Sequence, residues 1–541
     1  MYPVTQDYEN GIFNVPRQIL GRVTFDISPV NIENDIPTVT TTSEFALSNA
    51  QSQLIDNIRI QSLYLITWEI GRTILDGRFT FPSDNAVERG QVGWVSAEIT
   101  LPNTTFDLVP KTTLYPGANV FPSATTSQNI TLQYSGSYTS AGVTITFDPL
   151  LNEYATKFDI LAYNSSNAIV FQQNVVGNTL SQYILQSAIT NFNRLEIKIY
   201  EWNLANRRAR VVEIDPGVVL TYSGNELIRF NVTEEMDPLS STIVIPEFEF
   251  TADNSSGVFD ILNPTGIYSY LQLRQRIQAE LGLVIDTSRT EWIPVGTYYL
   301  SEWKSDPGAL TATFTGRSVL DLLDNSTFVQ TTPQTSYSLY DLIEDILLAA
   351  DITQYQIDTG LQSVVTNGLS ESVGCRQALQ LAAMAGRSNV FVTRDNKVSV
   401  RIYNPTQTTV KGITFEDMFE EAEIELGKPV YSSQVYYYTS IGTEVGSYTK
   451  TEAANAKSEV LTLQNNYFIN TVGQAQAVAE WLYAVRNNSK VFTVDYRGNQ
   501  ALELNDRFTV ENRYDQTQEV VMIKNELTYE GYLVGRIEGR A

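Results

Sequence analysis

Chemistry in this chain has to be sought among carboxylates, because none of its 541 residues is histidine and cysteine occurs once, at Cys375. Ser-His-Asp and Cys-His catalysis are thereby excluded, as are His-containing zinc sites, disulfides within the chain and cysteine-rich metal sites. The densest acidic group is Glu416, Asp417, Glu420, Glu421, Glu423 and Glu425. A glycosidase needs two such groups, one as acid and one as nucleophile or base. Read as a helix, the segment puts Glu416, Glu420 and Glu423 on one face and Phe415, Met418, Phe419 and Ala422 on the other. That is the pattern of an amphipathic solvated segment rather than of a catalytic pair.

The run from Asp253 to Asp260 has the look of a calcium loop, yet Pro264 stands where an EF-hand loop needs its twelfth-position glutamate. A polar turn between strands is expected instead. Cys375, next to Arg376 on an apolar helix, reads as a buried thiol that no histidine activates. No Gly-rich phosphate loop of either common pattern occurs. No catalytic, cofactor-binding or metal-binding residue is therefore assigned, and a non-enzymatic chain without a cofactor is expected.

Charge narrows the partners. With 36 Lys plus Arg against 61 Asp plus Glu the formal charge is −25, which opposes a stable nucleic-acid grip and docking on an anionic leaflet. No apolar run is long enough to span a bilayer, so no membrane anchor is expected, and residues 1–7 lack the basic flank and apolar core of a signal peptide. Synthesis in a cytosol follows as the expectation. The 30 tyrosines and 23 phenylalanines, set among many Asn, Thr and Ser, give a β-rich surface suited to protein contacts.

The elements that would position any site read mostly with period two. Val23, Phe25 and Ile27 alternate with polar neighbours, as do Val143, Ile145 and Phe147, then Leu195, Ile197 and Ile199. Val398, Val400 and Ile402, and Phe492, Val494 and Tyr496, continue the pattern, which marks half-buried antiparallel strands. Helices are expected from Ser338, an N-cap before Leu339, Leu342, Ile343, Ile346 and Leu347, and from Arg376 to Met384. A third is expected over 471–486, with Val472, Ala475, Val478, Trp481, Leu482 and Val485 on one face, and a fourth over 268–281. From 101 to 202 no helical stripe occurs and strand runs recur, which suggests a β-sandwich.

A weak internal similarity links Trp292–Arg317 with the last residues of the chain. Both read as strand, Gly-containing turn and strand, and both finish in Gly-Arg, at Gly316-Arg317 and Gly539-Arg540. Two ordinary hairpins and two related small barrels are both open readings at this stage.

Taken in order along the chain, these phrases resemble the baseplate hub, or tail hub, proteins of long-tailed bacteriophages, most of all those from phages of Gram-positive hosts. The carriers are Arg17 to Ile27, Leu75-Asp76-Gly77-Arg78-Phe79, Gly93-Trp94, and Arg207 to Asp215. Phe250 to Asn254, Pro294 to Leu300, Thr311 to Phe314, Leu339 to Ile343 and Val398 to Arg401 follow in the family's order.

The resemblance implies a mainly β, multi-domain chain with a minor α/β part, combining an antiparallel sandwich with two related small β-barrels of the tail-hub type. The expected divisions are 1–203, an N-terminal extension with a galactose-binding-like sandwich at about 91–203; 204–330, a first barrel; 331–404, an α/β segment; and 405–541, a second barrel. It further implies a homotrimer at the virion tail tip or baseplate, in contact with the tail tube protein, a central spike or tip protein and distal tail or baseplate proteins. Three copies carry −75 in total, so a ring of them is expected to let DNA slide through its lumen without adhesive contacts. Two other functions stay open: a carbohydrate-binding adsorption protein, with Tyr134, Tyr138, Tyr154, Tyr163 and Tyr183 stacking on a host-surface glycan, and a carboxylate-dependent cell-wall hydrolase. Arg207, Arg208 and Arg210 are candidates for ion pairs between subunits.

Overall fold

The computed structural model describes residues 1–32, 35, 37–41, 46–49, 62–65, 128–147, 149, 152–203, 210–211, 213–287, 289–305, 307–329, 337–367, 372–404, 407–410, 412–427, 430–440, 443–451 and 460–541. They form two compact units. One comprises 25–220 with 264–275, and the other 1–24, 221–263 and 276–541. The first 24 residues belong to the larger unit.

The smaller unit is a sandwich. A five-stranded sheet runs Thr38–Thr41, Gln128–Ser140, Ile189–Trp202, Ala155–Tyr163 and Ile169–Val176, all antiparallel. A three-stranded sheet of Glu213–Asp215, Val143–Thr146 and Gln182–Leu185 shares its core. Period-two placement drives this: Phe158, Leu195, Ile197 and Ile199 are fully buried while their strand neighbours are not. Trp202 anchors the centre, edge-on to Phe147 with ring centroids 5.7 Å apart.

The larger unit is built on ten strands, labelled in chain order. β1 is Leu227–Glu235, β2 Glu247–Asp253, β3 Arg276–Val284, β4 Thr290–Lys304 and β5 Thr311–Arg317. β6 is Glu423–Leu426, β7 Lys490–Tyr496, β8 Arg507–Glu511, β9 Thr517–Tyr529 and β10 Leu533–Arg540. With Ile19–Ile27 and Val218–Ser223 beyond β3 they make one twelve-stranded sheet, in which β3-β4-β5-β2-β1 leads into β9-β10-β7-β6 and β8 pairs with β9. The two small barrels of the expectation are therefore not closed: among the described residues the strands form one open sheet. Residues 412–419 act as a strap across the second set, with Ile413 bridging Val510 of β8 and Met418 bridging Tyr496 of β7.

Two helices lie between the two sets, α1 (Leu339–Ala349) and α2 (Cys375–Ala385), and a third, α3 (Val472–Asn487), lies between β6 and β7. α1 and α3 start as the sequence indicates, and α2 follows Gly374 without a side-chain cap. Ser338 accepts the Asp341 amide in α1, and Thr471 forms a capping box with Gln474 in α3. Their apolar faces, including Leu342, Ile346, Leu379, Val478 and Leu482, meet in one core. The helix expected over 268–281 is absent. Tyr268–Tyr270 is a short 3-10 turn, and Ile277, Ala279, Leu281 and Leu283 alternate inward along β3. The period of two outweighs the imperfect helical stripe because a sheet face buries all four residues.

Candidate functional site

The surface that stands out is an arrangement of strands rather than a pocket. β1 to β5 and β6 to β10 have the same connectivity and the same neighbour order, third-fourth-fifth-second-first. Their registers coincide residue by residue. In the first set Arg317 faces both Glu247 and Tyr299, Gly316 faces Phe248 and Leu300, and a bulge follows before Thr315 faces Glu302. In the second, Arg540 faces Val491 and Val521, Gly539 faces Phe492 and Met522, and a bulge follows before Glu538 faces Lys524. The third strands also correspond, since Arg276 faces Tyr299 and Arg507 faces Val521.

Packing explains the paired Gly-Arg endings. A Cβ on Gly316 would lie 2.9 Å from the Tyr298 side chain and 3.3 Å from Ile277. A Cβ on Gly539 would lie 2.8 Å from Val520 and 3.4 Å from Phe508, the residues that correspond to Tyr298 and Ile277. The same crowding at the same place requires glycine twice. Of the two readings left open by the sequence, a duplicated module is the one that matches the fold.

The modules join where β1 pairs with the far half of β9. Val232 faces Leu527, Thr233 faces Glu526, Glu234 faces Asn525 and Glu235 faces Lys524. A buried polar cluster sits under this seam. Arg394 donates to the Glu234 carboxylate at 2.8 Å, to the Val295 carbonyl at 2.5 Å and to the Leu502 carbonyl at 2.9 Å. Asn525 donates to the other Glu234 oxygen at 3.0 Å. Burial pushes the Glu234 carboxyl above the usual range, against the pull of Arg394. Rings continue across the seam, with Phe230 stacked on Tyr529 at 5.5 Å and tilted against Phe248 at 5.5 Å.

The opposite face of the sheet is polar and of mixed sign. Arg229 pairs with Glu249, Arg317 with Glu247, Arg536 with Asp495, and Lys524 with Glu526 and Glu538. Its carboxylates are interleaved with bases and do not form an unbroken acidic wall.

The residues singled out for chemistry are dispersed. The acidic group is not a helix: Phe415–Asp417 is a 3-10 turn and Glu423–Leu426 is strand β6. Asp417 is engaged by Arg497 at 3.6 Å and the Thr414 hydroxyl at 2.7 Å, and Glu421 pairs with Arg513. The loop after Asp253 is a turn whose oxygens are occupied. Asp253 accepts from Ser255, Asn254 accepts the Phe259 amide, and Asp260 accepts the Leu262 and Gly308 amides. Among the described residues no cluster of three or more His, Cys, Asp or Glu stands close enough to hold a metal ion. Cys375 is fully buried, which pushes its thiol up.

The five tyrosines lie within the sandwich's own packing. Tyr134, Tyr138 and Phe192 form a ring cluster, Tyr183 lies edge-on to Phe158, Tyr154 packs on the core, and Arg194 covers Tyr163 at 3.8 Å. Arg207, Arg208 and the Arg210 side chain lie outside the described residues. Among the described residues no helix is long and apolar enough to cross a membrane. Sequence reading missed the seam cluster, because Arg394 and Asn525 lie 160 and 291 positions from Glu234. It also missed the Arg276 and Arg507 correspondence, which only strand pairing reveals.

No family model matches the chain, and no curated protein does. Among solved structures it is similar to the tail protein from Neisseria meningitidis MC58, at 10% identity and a TM-score of 0.42, covering 59% of this chain and 93% of that one. It is similar to the 43 kDa tail protein of prophage MuSo2 from Shewanella oneidensis, at 11% identity and 0.41, covering 59% and 94%. It is also similar to the prophage tail protein gp18 from Listeria monocytogenes, at 10% and 0.37, covering 59% and 91%. All three carry the description tail protein, two of them from prophages. Identities this low and TM-scores below 0.5 leave the functional reading to the chain's own geometry.

Proposed function

We propose that the chain is a structural hub of a phage or phage-like tail, a trimer whose two modules per chain present six similar surfaces to a sixfold tube. The observation that carries this reading is the duplicated five-strand module with coincident register. Two copies of one module in a chain let three chains offer six near-equivalent positions, which a symmetric tube needs and a single-module trimer lacks. The divisions at 204–330, 331–404 and 405–541 serve this reading as the first module, the helical insert and the second module. A central spike or tip on the threefold side, and distal tail or baseplate proteins around it, complete the proposed partners. The mixed-sign, ion-paired sheet face suits a lumen through which DNA slides, since it lacks the clustered cations that grip phosphates. No step of the proposed role requires catalysis or a cofactor.

Light scattering and native mass measurement of the purified full chain, alone and with the tail tube protein of the same particle, test the proposal. A trimer that captures tube protein is the expected result. A chain that stays monomeric in both, or pairs only as a twofold dimer, refutes it. Tight binding to a glycan array by the intact chain without tube capture would point to the adsorption function. A cleared zone on peptidoglycan, lost on changing one Glu or Asp, would point to the hydrolase.

A further inference from the structure

Each module has two edges that take part in the seam, and the fold uses only one of each kind. The first strand of the first module, β1, is hydrogen-bonded to the far half of the fourth strand of the second, β9. The corresponding pieces left over are β6, first strand of the second module, and the far half of β4, fourth strand of the first. β6 ends the twelve-stranded sheet, and all four of its residues are exposed, with Ile424 at 54% and Leu426 at 74%. β3 accompanies β4 only as far as the pair Arg276 and Tyr299, so Glu302 and Trp303 pair with β5 and with no second described strand. Exposed edges carrying apolar side chains are templates for strand addition.

We infer that these two edges bind each other between copies of the chain: β6 of one copy adds antiparallel to the far half of β4 of the next, repeating the β1–β9 seam. The inference deepens the hub reading and rests on it for the number of copies in the ring, while the strand pairing rests on the registers alone. Those registers fix the partners. Thr233, Glu234 and Glu235 correspond to Glu425, Leu426 and Gly427, and Lys524, Asn525 and Glu526 correspond to Glu302, Trp303 and Lys304. Transferring the seam therefore sets Glu425 opposite Lys304, Leu426 opposite Trp303 and Gly427 opposite Glu302.

The side chains suit that alignment. Glu425 and Lys304 are of opposite charge on the polar face, where directly opposed strand residues interact most strongly. Leu426 and Trp303 fall on the core-facing side, in the places that Glu234 and Asn525 hold in the internal seam. An apolar pair there needs none of the buried hydrogen bonds that Glu234 requires from Arg394, so it can form between separate copies without leaving a charge unpartnered. The contact joins two different patches, so it propagates head to tail and closes into a ring when the rotation between copies allows.

Disulfide trapping tests this on the full chain. Leu426→Cys and Trp303→Cys are combined in one molecule, with buried Cys375 left in place, and oxidised at high concentration. Antiparallel strand partners of either type place their Cα atoms within disulfide range. A non-reducing ladder that ends at the closed ring, and that neither single variant gives, is the expected result. A ladder from Leu426→Cys alone shows a like-with-like edge contact and overturns the inference. Combining Leu426→Cys with Ser301→Cys checks register; cross-linking as efficient as that of the first pair overturns the alignment.

Charge exchange supplies a second reading. Glu425→Lys raises the concentration for half-assembly roughly fivefold or more, and adding Lys304→Glu in the same chain restores it. Failure of the second change to restore assembly counts against the pairing. Assembly by mass with no trapped species overturns this junction and leaves the hub reading standing. A chain that neither assembles nor cross-links overturns both.

Discussion

Arg394→Met is the most informative single change in the larger unit. The Arg394 side chain is 1% exposed and its partner Glu234 9%, so the variant leaves a carboxylate and the carbonyls of Val295 and Leu502 buried without their donor. Removing one partner of such a pair costs about 3–5 kcal/mol. At roughly 2 °C per kcal/mol for a unit of this size, the melting temperature falls by roughly 6–10 °C. Adding Glu234→Leu removes the stranded charge and recovers most of that loss, because paired apolar replacement is close to neutral.

The sign of the pH dependence follows from the same burial. Glu234 is already pushed above the usual carboxylate range, and loss of Arg394 pushes it further. A carboxyl with a raised folded-state pKa contributes stability that is fully present below its unfolded value and is lost as pH rises through the folded value. The single variant is therefore most nearly native in mild acid and weakest at neutral pH. Scanning calorimetry of wild type, single and double variants between pH 4 and 8 is the assay. A single-variant drop under about 2 °C at neutral pH, or a double variant no better than the single, refutes the assigned role of the cluster.

Three further outcomes are expected. Gly316→Ala and Gly539→Ala each cost about 1–3 kcal/mol by crowding the fourth strand, and similar losses at the two sites in denaturant midpoints support the correspondence, whereas a neutral change at either counts against it. Asp35 is subject to burial that raises its pKa, outweighed by hydrogen bonds from the Tyr138 hydroxyl and the Gly136 and Ser135 amides, so its net shift is downward. Its stabilising contribution is present above the unfolded value and lost as pH falls through the depressed folded value; Asp35→Asn should flatten unfolding free energy against pH in that acid range, and an unchanged slope opposes the assignment. Trp202→Ala removes a fully buried ring from the sandwich core and costs about 3–5 kcal/mol in chemical unfolding; a loss below about 1 kcal/mol would show that the ring is not carrying that core.

Strand after strand was legible because alternation has a period of two and a single buried face enforces it, as at Phe492, Val494 and Tyr496. The three helices were legible from their apolar stripes, with a cap at Ser338 for α1, for the same local reason. Where local signals competed, the reading failed. Around Tyr268–Leu281 the apolar residues fitted both periods loosely, and partners on β4 decided the outcome. The acidic run at 416–425 looked helical in isolation, yet pairing with β7 drew Glu423–Leu426 into a strand.

By itself the sequence determined what chemistry is excluded, through the absence of histidine and the single Cys375, and it determined the β-rich character and the paired Gly-Arg endings. Only the tertiary structure decided that those endings are corresponding positions, because correspondence is a matter of which residues face each other across strands. Gly316 and Gly539 look alike in sequence, but Trp303 and Asn525, or Leu426 and Glu234, do not. Side chains at corresponding positions were free to diverge once one seam was internal and the other edge left exposed, so the assembly surface is written in backbone register and not in residue identity.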